Sequence, residues 1–125
     1  MLFRSTVWYG SFAFFFSIIS MSLLLIGKPK LRKLPSVIIA EADSTPELVC
    51  EASGWPAPDL SWWRHGSMIS DGDDYHSYMI RKKDVNLLSM KILAIEGKHH
   101  GSYSCRADNL VGTSEEYVNI MVKSK

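Results

Sequence analysis

The chain has 125 residues, of which 46% are hydrophobic and 22% are charged, and its formal net charge is +1. A chain of this length holds one domain of ordinary size, which excludes a two-domain enzyme. Residues 1–33 carry five basic and no acidic side chains, whereas residues 34–125 carry nine basic and all thirteen acidic ones. Because nucleic-acid binding needs a clustered basic surface, the acidic body of the chain argues against a nucleic-acid partner.

The first predicted element is an uncharged, strongly apolar run over residues 7–27. This run is long enough for a helix that crosses a bilayer, which needs about 20 residues, and it also fits the apolar part of an export signal. We expect residues 1–27 to be a hydrophobic helix that acts as a signal peptide, with cleavage after Ser22 or after Gly27. The alternative is an uncleaved signal anchor that leaves the rest of the chain outside the cell.

The charges on either side of this run bear on its orientation. Arg4 precedes the run, and four basic residues follow it within six positions. An anchor that keeps its basic flank inside would hold the domain in the cytoplasm. If Cys50 and Cys105 form a structural disulfide, that placement is wrong, because such bonds persist in oxidising compartments. Export fits better, and it predicts a secreted or cell-surface protein.

Residues 28–33 are expected to be a solvated basic linker between the apolar run and the domain. Basic side chains on an exported protein can also contact anionic lipid or a sulfated glycan. The candidates for that contact are Lys28, Lys30, Arg32 and Lys33. Arg32 and Lys33 also form a candidate dibasic processing site. A second basic cluster at residues 81–83 predicts either a solvated turn or a further contact for sulfated glycans.

From residue 34 onward, short apolar or alternating runs are separated by turn residues, a pattern typical of an all-β sandwich. Leu48, Cys50 and Ala52, for example, fall on one face of a predicted strand. No window longer than about ten residues shows a convincing helical period. Seven or eight strands in about 90 residues match the size of one β-sandwich domain. The predicted strands include residues 37–40, 48–52, 60–64, 75–80, 88–92, 103–107 and 118–122.

The spacing around the two cysteines makes this pattern specific. Trp62 follows Cys50 by twelve positions, and Tyr103 precedes Cys105 by two. Together with three further motifs, this arrangement resembles the intermediate (I-set) type of immunoglobulin domain over residues 34–123. The three motifs are Gly54-x-Pro56-x-Pro58, Met90-x-Ile92-x-x-Ile95 and Cys105-x-Ala107-x-Asn109-x-x-Gly112.

The resemblance implies an all-β, immunoglobulin-like Greek-key sandwich of two antiparallel sheets. In that family a disulfide joins the two sheets and a tryptophan packs against its sulfurs, which here implies a bond between Cys50 and Cys105 with Trp62 beside it. The hydroxyl of Tyr103 is expected to cap a corner of the chain. The matching motif residues Met90 and Ile92 are expected in the core.

One position departs from the family. Where these domains usually have an aspartate two residues before the corner glycine, this chain has His99 before Gly101. The aspartate commonly pairs with a basic residue on a neighbouring strand, a pair that a neutral histidine cannot make and a charged one would oppose. We therefore expect that salt bridge to be missing. His99 and His100 are expected to be exposed turn residues.

No set of residues predicts catalysis. The acidic run with Asp71, Asp73 and Asp74 resembles part of a calcium loop but lacks the later bidentate glutamate, so a solvated turn is expected. Neither cysteine is available as a nucleophile if the two are bonded to each other, and no serine stands in a Gly-x-Ser-x-Gly motif. We expect no enzymatic activity, no cofactor and no metal site.

The remaining candidate function is binding through a surface. Trp63 is opposite in phase to Trp62 and is expected on the outer face of its sheet, together with side chains of two neighbouring strands. Aromatic and arginine side chains on a rigid surface dominate protein interfaces. The predicted partner-binding residues on this face are Trp63, Arg106, Tyr117 and Met121, with Ser104 and Asn119 beside them. Ordinary packing over the neighbouring strands is the alternative.

A second candidate is Trp55, at the tip of the loop that follows the first cysteine strand. The alternative there is an indole ring that folds onto Pro56.

The resemblance extends to the small secreted one- and two-immunoglobulin-domain proteins of invertebrate nervous systems and muscle. It implies a recognition role in cell–cell adhesion, axon or synapse organisation, or receptor clustering. The implied partner is an extracellular or cell-surface protein, such as another immunoglobulin-domain protein or a receptor. The alternatives are a membrane-tethered accessory subunit that retains residues 7–27, and a piece of a longer adhesion receptor.

Overall fold

A computed structural model describes residues 26–124, and the expected hydrophobic helix and signal peptide lie almost wholly outside them. Alternation of buried and exposed side chains generates nine strands within the described range, joined by short turns and one 3-10 turn at Gly97–His99. The strands are β1 (Lys30–Leu31), β2 (Val37–Glu41), β3 (Glu47–Ser53), β4 (Asp59–Arg64), β5 (Ser67–Met68), β6 (Tyr75–Arg81), β7 (Asn86–Ile92), β8 (Gly101–Asp108) and β9 (Thr113–Lys123). No helix in this range is long and apolar enough to cross a bilayer.

The strands form two sheets that pack face to face. One sheet has four strands in the order β1-β3-β7-β6, and the other has five in the order β2-β9-β8-β4-β5. All pairings are antiparallel except that of β2 with β9, which is parallel and aligns Ile39 with Met121. The expected all-β immunoglobulin-like sandwich is therefore confirmed, with one parallel pair where only antiparallel pairs were expected.

The core lies between the sheets and is centred on a disulfide. Cys50 of β3 and Cys105 of β8 are bonded and fully buried, so one covalent link joins the two sheets. Trp62 is 1% exposed, lies opposite Cys105 in the β4–β8 register, and donates its indole N–H to the carbonyl of Leu88. In the chain-entropy model, closing a loop with a separation of 55 residues contributes about 4 kcal/mol. Met90, Ile92 and Tyr103 complete the centre, each fully buried.

The segment expected to be a solvated linker over residues 28–33 is part of the sandwich instead. Lys30 and Leu31 form β1 and pair with Ser53 and Ala52 of β3. Leu31 packs against the core, while Lys30 is exposed. The backbone N–H of Arg32 continues the ladder by donating to the carbonyl of Glu51 at 2.9 Å. The sequence did not predict this strand because its basic residues lie on the solvent face and only one apolar side chain, the partly buried Leu31, faces the core.

The turn between β7 and β8 corrects the expectation for His99. This side chain is 2% exposed, not solvated. Its Nδ1 accepts the backbone N–H of Glu96 at 2.9 Å, and its Nε2 lies 3.2 Å from a carboxylate oxygen of Asp74. The salt bridge of the family is therefore replaced by a hydrogen bond. Because Nδ1 accepts, the ring proton is on Nε2, which donates to Asp74 just before β6. His100, by contrast, is exposed.

Two further side chains hold the same corner. The hydroxyl of Tyr103 donates to the carbonyl of His99 at 2.8 Å, which is the corner contact that the resemblance implies. Arg64 at the end of β4 donates to the carbonyls of Lys98 and His100 at 2.6 and 2.9 Å, and its guanidinium lies 4.9 Å from the Tyr103 ring centroid. Burial is the main reason that the pKa of Tyr103 is raised above its ordinary value, so this hydroxyl stays protonated as a donor.

We expect the ion pair of Asp74 to make stability depend on acid pH. The hydrogen bond from Lys98 first, and that from His99 second, hold the pKa of the Asp74 carboxyl below its ordinary value. The resulting stabilisation is present above the unfolded pKa of about 4 and is lost as pH falls through the lower folded pKa.

Thermal melts should therefore show wild type more stable than Asp74→Asn by roughly 3 °C at pH 6. The gap should close as the pH falls through the lowered pKa of Asp74. Asp73→Asn is the matched control, because Asp73 is exposed and makes no ion pair within residues 26–124. A constant gap between wild type and Asp74→Asn over this pH range would contradict the assignment.

Candidate protein-binding face

The outer face of the five-stranded sheet carries the predicted aromatic residues. Trp63 of β4 is aligned with Ser104 of β8, and Ser104 with Tyr117 of β9. At a strand spacing of about 4.8 Å, the two aromatic residues stand about 10 Å apart on either side of the serine. Ser104 is only 6% exposed although it points outward, and Tyr117 is 61% exposed. The two rings thus border a sheltered strip in the middle of the face.

Arg106 connects this pair to an acid. Its guanidinium carbon lies 4.0 Å from the centroid of the Trp63 ring, and its Nε donates to the Glu115 carboxylate at 3.1 Å. The Trp63 indole N–H donates to the hydroxyl of Ser61 at 2.8 Å, so a hydrogen bond at the ring edge and a guanidinium over the ring face both hold the indole. Stacking of arginine on indole is favourable by about 0.5–1 kcal/mol at an exposed site.

Glu115 also accepts the hydroxyl of Tyr117. This hydrogen bond is the first cause of a raised pKa for Tyr117, because loss of the phenolic proton would leave two negative oxygens in contact. The carboxylate therefore holds two outward side chains, Arg106 and Tyr117, in fixed positions. We name the set Trp63, Arg106, Glu115 and Tyr117 the aromatic–arginine cluster.

A shallow groove of about 370 Å³ runs beside the cluster, and its walls include Trp63, Arg106 and Tyr117. Gly66, which has no side chain, and Ser102, which has a small one, also line the groove. The groove is open to solvent and offers an aromatic wall, a cation and a carboxylate to a molecule placed over the sheet. Such a mixture suits a peptide surface better than a small reactive substrate.

The other two predicted binding residues lie apart from the cluster. Met121 is 42% exposed and is aligned with Ile39 on β2, which is 67% exposed, so the two form an apolar patch near the edge of the same sheet. Trp55 lies in the loop between β3 and β4, is 60% exposed, and lines a different depression with Lys82 and Lys83. Its ring is thus not hidden, and it does not belong to the sheet face.

Sequence reasoning missed three residues of this face. Met68 is 58% exposed and is aligned with Trp63 on β5, a strand of two residues that has no periodic signal. Glu115 was not singled out because its role appears only through its contacts with Arg106 and Tyr117. Ile39 lies in a predicted strand, but the parallel pairing that brings it beside Met121 is a long-range contact.

The acidic turn before β6 has contacts of its own. Asp71 accepts the backbone N–H of Ser77 at 2.8 Å, and its second oxygen lies 3.3 Å from His76. A carboxylate oxygen of Asp74 lies 3.2 Å from both Lys98 Nζ and His99 Nε2. Across residues 26–124 the structure has no group of three or more histidine, cysteine, aspartate or glutamate side chains that could hold a metal ion.

The sequence and the fold can be compared with known proteins. The model of the immunoglobulin I-set domain family matches residues 29–122. The chain belongs to the immunoglobulin I-set family. Domains of this family are non-enzymatic, and this domain is accordingly an immunoglobulin-type recognition module.

Two curated relatives illustrate the similarity. Over 86 residues, 69% of this chain, it is 34% identical to neural cell adhesion molecule 1-B of Xenopus laevis. Over 102 residues, 81% of this chain, it is 31% identical to Roundabout homolog 1 of Homo sapiens. The chain spans only 7% and 6% of the lengths of these two proteins.

Solved structures show the same fold at lower identity. Dpr2 Ig1-Ig2 in complex with DIP-Theta Ig1-Ig3 superposes with a TM-score of 0.72 at 16% identity, over 76% of this chain and 32% of that one. Titin domain M7 superposes with a TM-score of 0.65 at 23% identity, over 78% of this chain and 95% of that one.

We expect Arg106 and Trp63 to be energetically coupled. In a double-mutant cycle of Trp63→Leu and Arg106→Gln, urea unfolding should give a coupling free energy of about 0.5–1 kcal/mol. A control cycle combines Trp63→Leu with Lys91→Gln instead of Arg106→Gln. Because Lys91 lies on the other sheet, its coupling free energy with Trp63 should be near zero. Equal values for the two cycles would show that the stacked geometry contributes nothing to stability.

Proposed function

We propose that this chain is an extracellular recognition module that binds a protein partner through the outer face of its five-stranded sheet. The observation that carries the proposal is the aromatic–arginine cluster, in which a tryptophan, an arginine and a tyrosine are held in place on a solvent-exposed sheet. These residue types are the ones most enriched among the residues that dominate binding energy. Because their positions are fixed before binding, little conformational entropy is lost on association.

The chemistry of the face also defines the partner. Tyr117, Met68 and Ile39 offer apolar contact area, and each is more than half exposed. The groove beside Trp63 is lined by Arg64, Arg106 and Glu115. Arg106 is paired with Glu115, and Arg64 donates to backbone carbonyls of the turn before β8. A partner with a protruding apolar or aromatic side chain and a polar rim fits this surface, whereas a strongly charged partner does not.

The comparisons with known proteins agree with this assignment. One of the similar structures is a complex between two proteins, Dpr2 and DIP-Theta. At 16% identity the likeness concerns the fold alone. The 34% identity to neural cell adhesion molecule 1-B supports the proposal that this chain meets another extracellular or cell-surface protein in adhesion, axon or synapse organisation, or receptor clustering.

Loss of aromatic side chains from the cluster should weaken partner binding. Labelled mature protein is titrated onto cells of its native tissue, and Trp63→Ala and Tyr117→Ala are each expected to weaken saturable binding at least ~10-fold, because each removes a central contact. The matched control is Tyr78→Ala, which removes a 41% exposed tyrosine from the outer face of the other sheet. Circular dichroism checks that all variants are folded. Unchanged affinity in both cluster variants, or an equal loss in the control, rejects this face.

The same proposal places the domain outside the cell after cleavage of residues 1–22. Gly27 donates its N–H to the carbonyl of Trp55 at 3.2 Å, and its own carbonyl accepts the side-chain amide of Asn109 at 2.8 Å. Cleavage after Ser22 keeps both contacts, whereas cleavage after Gly27 removes them. The disulfide between Cys50 and Cys105 is the further support for export.

N-terminal sequencing of the protein from its native tissue is expected to begin at Leu23. An intact Met1 would instead identify a membrane-tethered subunit that retains the apolar run. A start at Lys28 would show that the Gly27 contacts are dispensable.

A further inference from the structure

Two basic segments that are far apart in the sequence meet at one end of the four-stranded sheet. Leu31 of β1, Ala52 of β3, Asn86 of β7 and Arg81 of β6 occupy successive positions of one row across this sheet. Three strand spacings, about 14 Å, separate the first residue of the row from the last. The fold therefore brings the cations of residues 30–33 to the same end of the sheet as those of residues 81–83.

Three adjoining depressions connect these segments on the surface. The first, of about 560 Å³, lies between Trp55 and the pair Lys82 and Lys83. The second, of about 200 Å³, shares Val85 with the first and is lined by Lys30 and Arg32. The third, of about 280 Å³, shares Arg32 with the second and extends to Lys33. We call the five cations along these depressions, Lys30, Arg32, Lys33, Lys82 and Lys83, the basic track.

The charge along the track is mostly unneutralised. The acidic side chains that line the same depressions are Glu51 and Asp84. Arg32 is paired with Glu51 at 3.3 Å, but its side chain remains 79% exposed. The four lysines are exposed and make no ion pair within residues 26–124. A row of unpaired, like-charged side chains carries mutual repulsion that an external anion relieves.

Lys28 does not take part, although the sequence grouped it with Lys30. Its aliphatic stem lies over the turn between β8 and β9, where a Cβ added to Gly112 would stand 2.9 Å from Lys28 Cγ. Trp55 takes its place at the end of the track and offers an exposed indole face beside Lys82 and Lys83. An indole face is apolar and polarisable, and it can stack against the C–H face of a sugar ring.

We propose that the basic track binds a sulfated glycosaminoglycan, a linear polysaccharide that carries sulfate and carboxylate groups along its length. An extended polyanion can follow three connected depressions and contact all five cations, whereas the flat surface of a bilayer cannot enter them. The track lies on the four-stranded sheet and its end, so it is separate from the aromatic–arginine cluster on the other sheet. Such a module can bind a glycan matrix through the basic track while its protein partner binds the aromatic–arginine cluster.

The probe for this site is heparin, and its binding is measured with the protein as it is purified from expressing cells. Lys82→Gln combined with Lys83→Gln should weaken binding to immobilised heparin at least ~10-fold at physiological salt, and it should lower the slope of log affinity against log salt by about two. The control combines Lys91→Gln with Lys123→Gln, which remove the same charge away from the track. This control should leave the slope unchanged, and chemically desulfated heparin should not bind wild type.

Three outcomes overturn the proposal. Wild type fails to bind heparin at physiological salt, or the two double variants lose equal affinity, or vesicles containing phosphatidylserine bind through the same lysines while heparin does not. The last result would assign the track to a membrane. Trp63→Ala should retain wild-type affinity for heparin, so failure of the glycan site and failure of the protein-binding face are seen separately.

Discussion

The covalent bond between Cys50 and Cys105 is the constraint on which the rest of the structure depends. It joins the centre of β3 to the centre of β8 and so fixes the distance and register of the two sheets. Trp62 packs beside the sulfurs, and the neighbouring residue Trp63 must then point the other way, because successive side chains of a strand alternate. The outward position of the candidate binding tryptophan is thus a direct consequence of the buried one.

A second consequence concerns the N-terminal part of the domain. Residues 30–31 pair with the four-stranded sheet, and residues 37–41 pair with the five-stranded sheet, so this one segment touches both layers. Its first half places basic residues beside the turn between β6 and β7. Its second half sets Ile39 beside Met121 on the opposite face. The same short segment therefore contributes to both proposed binding surfaces, and the disulfide keeps the two surfaces at a fixed separation.

The corner between β7 and β8 shows how a substituted residue is accommodated. His99 stands where the family usually has an aspartate, and its Nε2 donates a hydrogen bond to Asp74 just before β6, so a polar contact across the corner is retained. Arg64 and Tyr103 bind the backbone carbonyls of the same turn. The corner therefore stays ordered although one expected residue is absent, and it closes the end of the sandwich opposite to the loop that carries Trp55.

The motifs of the sequence alone carried the resemblance to the family, and that resemblance implied the cysteine pair and the buried Trp62. The outward phase of Trp63 followed from period-two alternation, which is contained in the chain itself. Prediction from the sequence failed for residues whose structural contact partner is distant along the chain. The burial of His99 depends on Asp74, the strand at Lys30 depends on β3, and the alignment of Ile39 with Met121 depends on a parallel pairing. The proximity of residues 30–33 to residues 81–83, which forms the basic track, likewise depends on pairing between distant strands. Only tertiary structure decides such contacts, because they arise from the register between strands and not from the order of residues along any one of them.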